Sequence, residues 1–236
     1  MDRSEIEKIV KARGWLALQT NAFQQAVLSR ATLIALGARD YVFHTGDDLG
    51  GVYGVIGGGV GVYIAGNDAG LSLGHVLRTG AWFGHGPAMT RRTRTLTFRA
   101  LEPTQALFLP LAAIKEIAAS SPDFMRGVAS MAEFGTDAAI AVAADLLIRR
   151  SDRRIAATLL RVTAAAEGIA SPHPDGFHLT QTDLAEMSNV SRDVMNRTLS
   201  RFKSEGWIET KYNRIAMLDG AALSQFAAGT RLAGDG

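Results

Sequence analysis

Cysteine is absent from the 236 residues. No disulfide, thiolate zinc site or cysteine-held iron–sulfur cluster can be built from this chain, and a lack of disulfides is compatible with a reducing cytoplasm. Long apolar runs are missing as well. No segment reaches the ~18 apolar residues of a membrane span, and the opening MDRSEIEKIVKARGW alternates charges with apolar residues where a signal peptide would be uninterrupted. The expectation is a cytoplasmic protein with no membrane partner. Charge of one sign is scarce too: the formal net charge is +2, so nucleic-acid affinity would have to come from local basicity. No phosphate-cradling loop, Ser/His/Asp arrangement or His-x-His pair is evident.

Apolar residues make up 47% of the chain, enough for one large domain or two modest ones. The 25 glycines cluster between Gly46 and Gly86 and thin out afterwards, which suggests a turn-rich β region followed by a helical one. Residues 4–30 read as short helices, with Ile6, Ile9 and Val10 on one face and Phe23, Val27 and Leu28 on another. From Ala31 to Leu109 come short β-type runs: TLIAL, DYVFH, GVYGVI, GVGVYIA, LSLGHVL, TLTFRAL and QALFLPL. Strands at this spacing predict a β-sandwich or jelly roll. Gly57-Gly58-Gly59 and Gly66-Asn67-Asp68 are expected hairpin turns.

Helical periodicity returns near Leu111. Phe124, Val128, Met131, Gly135, Ala138 and Val142 alternate steps of four and three, as where two long helices pack side by side. One amphipathic helix buried within a monomer fits the spacing equally well. A Pro- and Gly-rich break follows at EGIASPHPDG, residues 167–176, but the expected domain boundary lies at the end of the long helix, near Arg150-Ser151.

LTQTDLAEMSNVSRDVMNRTLSRF, residues 179–202, holds two amphipathic runs separated by little more than Ser188-Asn189-Val190. Thr180 is a good N-cap with Asp183 three residues later, and Leu184, Ala185 and Met187 supply an inner face. Ser191 can cap a second helix whose Met195, Thr198, Leu199 and Phe202 follow i, i+3, i+4, i+7, and Gly206 is a natural stop. Arg192, Asp193, Asn196, Arg197 and Ser200 must then point outward. In a helix-turn-helix the first turns of the second helix reach base edges. An arginine fork can bond guanine O6 and N7 together, and a carboxylate can accept from cytosine N4. Asp193 stands four residues before Arg197 and could hold its guanidinium. Beyond Gly206, WIETKYNRIAML reads as a hairpin with a basic tip, the wing of a winged helix. Thr180, Lys211 and Arg214 are expected phosphate contacts, which position without reading sequence. Two basic clusters add local charge: Arg149, Arg150, Arg153, Arg154 and Arg161 in one, Arg192, Arg197, Arg201 and Lys203 in the other. An ordinary helical hairpin with a solvated face is the bland alternative. Capping, the small Ala185, the arginine spacing and the basic hairpin together favour duplex DNA as the partner.

SRDVMNRTLSRF resembles the recognition helix of the Crp/Fnr superfamily of bacterial transcription regulators, with Asp193 and Met195 where glutamate and valine are usual. RRIAATLL resembles the helix that opens that family's DNA-binding domain, and HTGDDLGGVYGVIGGGVGVYI resembles its glycine-punctuated β-roll. The resemblance covers nearly the whole chain in the same order. It implies an α+β fold of three parts. They are an N-terminal cyclic-nucleotide-binding-like β-roll (jelly roll) over 1–121, a central dimerisation helix over 122–150 and a C-terminal winged helix-turn-helix over 151–236. It further implies a homodimer formed through the long helix and a two-fold symmetric operator with half-sites ~34 Å apart. Arg192, Asp193 and Arg197 match the family's base-reading positions, and most members activate transcription through RNA polymerase.

In cyclic-nucleotide-binding members a Gly-Glu pair and an Arg-Ser or Arg-Thr pair hold the ribose and the cyclic phosphate. WFGHGPAMTRRTRTLTFRA keeps Gly84, Arg94 and Thr95 but puts His85 at the glutamate position. Neutral histidine accepts one hydrogen bond where a carboxylate accepts more. Ala139 and Ile140 align where the cyclic-AMP binder has hydroxyl residues against adenine, so buried polar groups of the base would go unpaired. Weak or no cyclic-AMP activation is expected, while Arg91, Arg92 and Arg94 leave an anionic ligand conceivable. Iron–sulfur sensing is excluded by composition. Haem would have to use His44, His75 or His85, which more often serve as packing or surface residues. The rival class is a metal-dependent cupin-like enzyme, for which the histidines lie on widely separated strands.

Overall fold

The computed structural model describes residues 2–47, 50–65, 70–90, 92–165, 171 and 173–229. The expected turn at Gly66-Asn67-Asp68, Arg91 and most of the 167–172 segment lie outside the described residues. Two compact units emerge: Met1–Tyr63 with Leu77–Ala139, and Ile64–Val76 with Ile140–Gly236.

The first unit opens with three short helices, α1 (Arg3–Ala12), α2 (Gly14–Ala17) and α3 (Asn21–Leu28). Asp2 and Glu5 form a reciprocal capping box that starts α1, and the Thr20 side chain caps α3. Ile6, Val10, Phe23, Val27 and Leu28 are all buried, as their spacing requires. The strands that follow along the chain are β1 (Thr32–Leu36), β2 (Tyr41–Phe43), β3 (Gly51–Gly57), β4 (Val60–Ala65), β5 (Leu71–Leu77), β6 (Trp82–Phe83), β7 (Thr97–Ala100) and β8 (Thr104–Pro110), of which β5 up to Val76 is counted with the second unit. They form two four-stranded sheets, ordered β1-β8-β3-β6 and β2-β7-β4-β5. That is the expected jelly roll.

Gly57-Gly58-Gly59 does not close a hairpin. Strand β3 pairs with β6 and β8, and β4 with β7, so the glycines carry the chain from one sheet to the other. Gly58 sits at φ +94, where a Cβ would come within 2.5 Å of the Thr104 hydroxyl, and only glycine fits without strain. The roll interior is filled by Phe43, Val55, Val60, Phe83 and Phe98.

A short α4 (Gly86–Thr90) is followed, after β8, by α5 (Leu111–Ser120), α6 (Pro122–Ala129) and α7 (Met131–Leu147). The central helix is therefore broken at Ser130, which caps α6. The heptad seam splits with it. Val128 and Met131 are buried, and Phe124 packs beside them, in the core formed with α1–α3 and β8. Gly135, by contrast, is exposed. Seam spacing alone could not reveal that its first half is occupied within the same unit. The exposed apolar positions of α7 follow another register, with Ile140 at 60% and Leu147 at 81% exposure.

The second unit contains α8 (Ser151–Thr163), β9 (Phe177–His178), α9 (Gln181–Met187), α10 (Arg192–Ser204), β10 (Ile208–Lys211), β11 (Arg214–Met217) and α11 (Gly220–Ala228). The strands form a sheet ordered β10-β11-β9. The core joins Ile155, Leu159 and Val162 of α8 with Leu184, Met195, Leu199, Phe202, Trp207 and Leu223, all buried. Asp219 caps α11, whose Phe226 meets Phe202 and Trp207 at ring distances of 5.7 and 5.2 Å.

Candidate nucleic-acid interface

The helix-turn-helix is built from capping chemistry. The Thr180 hydroxyl accepts from the Asp183 N–H and the Asp183 carboxylate accepts from the Thr180 N–H, both at 3.0 Å. A cap of this kind stabilises the helix by about 1 kcal/mol. Asn189 adopts a left-handed φ of +48, which ends α9 and turns the chain. The Ser191 hydroxyl then accepts from the Val194 N–H and starts α10.

Met195, Thr198, Leu199 and Phe202 face inward. Arg192, Asp193, Asn196, Arg197 and Ser200 are exposed. At about 100° per residue these five span an arc of roughly 140°, opposite the buried stripe. Arg192 and Asp193 occupy the first turn, with Arg197 about 7.5 Å further along the axis. None of the five side chains is bonded to another described residue. Asp193 and Arg197 therefore do not pair, contrary to the i, i+4 expectation. Aspartate is one methylene shorter than the glutamate usual at this position, and both groups stay directed to solvent.

The wing is as expected, with Lys211 directly opposite Arg214. Its cations are tethered. The Lys211 ammonium bonds the Asp175 carboxylate at 2.5 Å, which holds the carboxyl below its ordinary range and raises the lysine. Arg214 donates to the Gly176 carbonyl at 2.8 Å. Tyr212, at the tip, is 91% exposed, and sequence reasoning had not singled it out.

The basic cluster of α8 is not an open patch. Arg150 pairs with Asp152 at 2.7 Å, and Arg161 with Asp145 at 2.7 Å. Arg161 also reaches the His75 imidazole at 2.7 Å. Arg154 is bonded to three carbonyls, those of Ile148, Ser188 and Asn189. These arginines mostly serve the unit's own architecture, which charge counting could not disclose.

In the β-roll, Gly84 lies at φ +91 beside the Gly51 carbonyl. Arg94 is only 3% exposed. Its guanidinium donates to the Gly84 carbonyl and, at 2.9 Å, to the Gly51 carbonyl, and it lies 4.1 Å above the Phe43 ring. Burial lowers its pKa, with Tyr53 and Asp47 acting against the shift. His85 is half-buried, and its Nδ1 has no hydrogen-bond partner. Burial, with the Arg94 charge as the lesser cause, pushes its pKa down, so the ring is neutral near pH 7. Thr95 is exposed. Gly84, His85 and Arg94 thus come together, while Thr95 stands apart in solvent. Among the described residues no group of three or more His, Asp or Glu side chains could hold a metal ion, and no helix is long and apolar enough to cross a membrane.

Residues 33–121 match the family described as cyclic nucleotide-binding domain. Residues 153–226 match the Crp-like helix-turn-helix domain. Among solved structures, FixK2 from Bradyrhizobium japonicum aligns with a TM-score of 0.68 at 17% identity, covering 83% of this chain and 96% of that one. A CRP-family transcriptional regulator from Thermus thermophilus gives 0.64 at 21% identity, over 84% and 98% of the two chains. The c-di-GMP responsive global regulator CLP of Xanthomonas campestris gives 0.62 at 18%, over 84% and 99%. At these identities the likeness speaks for the fold. No curated protein matches the chain in sequence.

A β-roll of the cyclic nucleotide-binding domain family followed by a Crp-like winged helix defines a DNA-binding transcription regulator. The chain belongs to the Crp/Fnr family. The cupin-like enzyme reading is not favoured, since the family is one of regulators.

Proposed function

We propose that the protein acts in the cytoplasm as a homodimer on a two-fold symmetric operator, with α10 in the major groove. The functional parts are the sensor over 1–121, the dimerisation segment over 122–150 and the DNA-binding domain over 151–236. Arg192, Asp193, Asn196 and Arg197 read base edges, and Thr180, Ser191, Lys211 and Arg214 hold the sugar-phosphate backbone. One observation carries this reading: five polar side chains along one face of α10, beginning in its first turn, are exposed and engaged with nothing else described. Exposed Ile140 and Leu147 on α7 support self-association, because apolar side chains of that size gain about 1.5–3 kcal/mol each on full burial. RNA polymerase is the partner of the DNA-bound dimer.

The β-roll does not respond to cyclic AMP. Arg94, which would clamp the cyclic phosphate, already serves two carbonyls and the Phe43 face. His85 replaces the ribose-binding carboxylate with a neutral ring, and Phe43, Phe83 and Phe98 fill the space between the sheets. The residues present do not fit a cyclic nucleotide in the family's manner.

Selection from randomised duplexes with the full-length protein tests the function. The expected product is an inverted repeat with half-site centres ~10 base pairs apart. Enrichment of no sequence, or of single-stranded molecules only, would contradict the proposal.

A further inference from the structure

Arg154 belongs to the basic cluster that precedes the helix-turn-helix, yet its guanidinium faces protein. Nε donates to the Ser188 carbonyl at 2.6 Å, Nη1 to the Ile148 carbonyl at 2.6 Å and Nη2 to the Asn189 carbonyl at 3.3 Å. The three acceptors come from two places. Ser188 and Asn189 form the turn that ends α9 and precedes the Ser191 cap of α10. Ile148 follows the last residue of α7.

Carbonyls at a helix C-terminus have no intrahelical donor. Here the left-handed Asn189 sharpens the need, because it turns the chain out of α9 and prevents another helical residue from supplying one. A single planar fork satisfies the end of α7 and the α9–α10 turn together. Guanidinium geometry is rigid, so the two sets of acceptors are held at a fixed spacing. An ammonium in the same place is a point donor and could not span them.

We infer that Arg154 is a positioning residue: it registers the start of the reading helix α10 against the end of α7, and makes no contact with DNA itself. The inference deepens the DNA-reading function proposed above and rests on it. A displacement at the end of α7 would reach Arg192 and Arg197 through this fork and the Ser191 cap.

Arg154→Lys and Arg154→Gln test the idea in the full-length protein, with two readouts. The first is binding to the selected duplex, measured on the active fraction at a series of salt concentrations. Both variants should bind about tenfold more weakly, with blurred base preference and an unchanged slope of log K against log salt. Recovery by lysine, or a slope reduced by about 0.9 in the glutamine variant, would make Arg154 a phosphate contact and overturn the inference. Weaker binding with undiminished base preference would overturn it too, leaving a role in stability only.

The second readout needs no DNA. The absence of cysteine allows spin labels at Ala144→Cys and Lys203→Cys, both exposed positions on α7 and α10. The distance distribution should be narrow with Arg154 present and broad in either variant. An unchanged distribution would refute the positioning role even if the protein bound no duplex, so the two proposals fail separately.

Discussion

Arg94→Met separates a structural arginine from a ligand clamp. The methionine keeps an apolar stem against Phe43 but removes every donor. Two backbone carbonyls, Gly84 and Gly51, then lose their partner, at a cost of about 1–3 kcal/mol each. The guanidinium lying 4.1 Å above the Phe43 ring contributes about 1–2 kcal/mol more when desolvated. Relief from burying a charge acts in the opposite direction, as the lowered Arg94 pKa indicates. The balance is a loss of about 2–4 kcal/mol, or a melting temperature lower by about 4–16 °C for a chain of this length. Differential scanning calorimetry of the ligand-free protein measures it, with cyclic-AMP titration of the wild type alongside. An unchanged melting temperature, combined with wild-type binding of cyclic AMP that the variant loses, would refute the reasoning.

Two further outcomes follow from particular side chains. His85 has a pKa lowered by burial and by Arg94, so the unfolded chain binds its proton more readily. Its contribution to stability is full above about pH 6.5 and is lost as the pH falls below that value. The melting temperature should drop more steeply between about pH 7.5 and 5.5 in the wild type than in His85→Gln; parallel profiles would contradict the assignment. Ile140→Glu with Leu147→Glu places charge on the exposed apolar stripe of α7. Sedimentation should show a monomer that binds the full inverted repeat no more tightly than an isolated half-site, and an intact dimer would remove α7 from the interface.

The DNA-reading element was legible because its signals are local. Caps at Thr180 and Ser191, the i, i+3, i+4 spacing and the outward arginines all lie within 24 residues of continuous sequence, and each fell where the pattern put it. The β-roll was legible as a run of strands, but not their partners. Whether Gly57-Gly58-Gly59 closes a hairpin or crosses between sheets depends on β6, β7 and β8, far along the chain. Two-residue strands such as β6 and β9 exist only through long-range pairing and leave no periodic trace. The α11 helix was missed although Asp219 is a recognisable cap. Arginine was the hardest residue to read. Arg154 and Arg161 look like part of a basic patch and Arg94 like a ligand's anion clamp in the sequence, yet each is bonded to carbonyls, a carboxylate or an imidazole of its own unit.

The most direct measurement repeats the duplex selection with Arg197→Ala beside the wild type and compares affinities for every single-base-pair change in the half-site. The variant should lose discrimination at one or two adjacent positions, by about 1–3 kcal/mol, and keep it elsewhere. Wild-type selectivity at every position would mean that the exposed face of α10 does not read the bases.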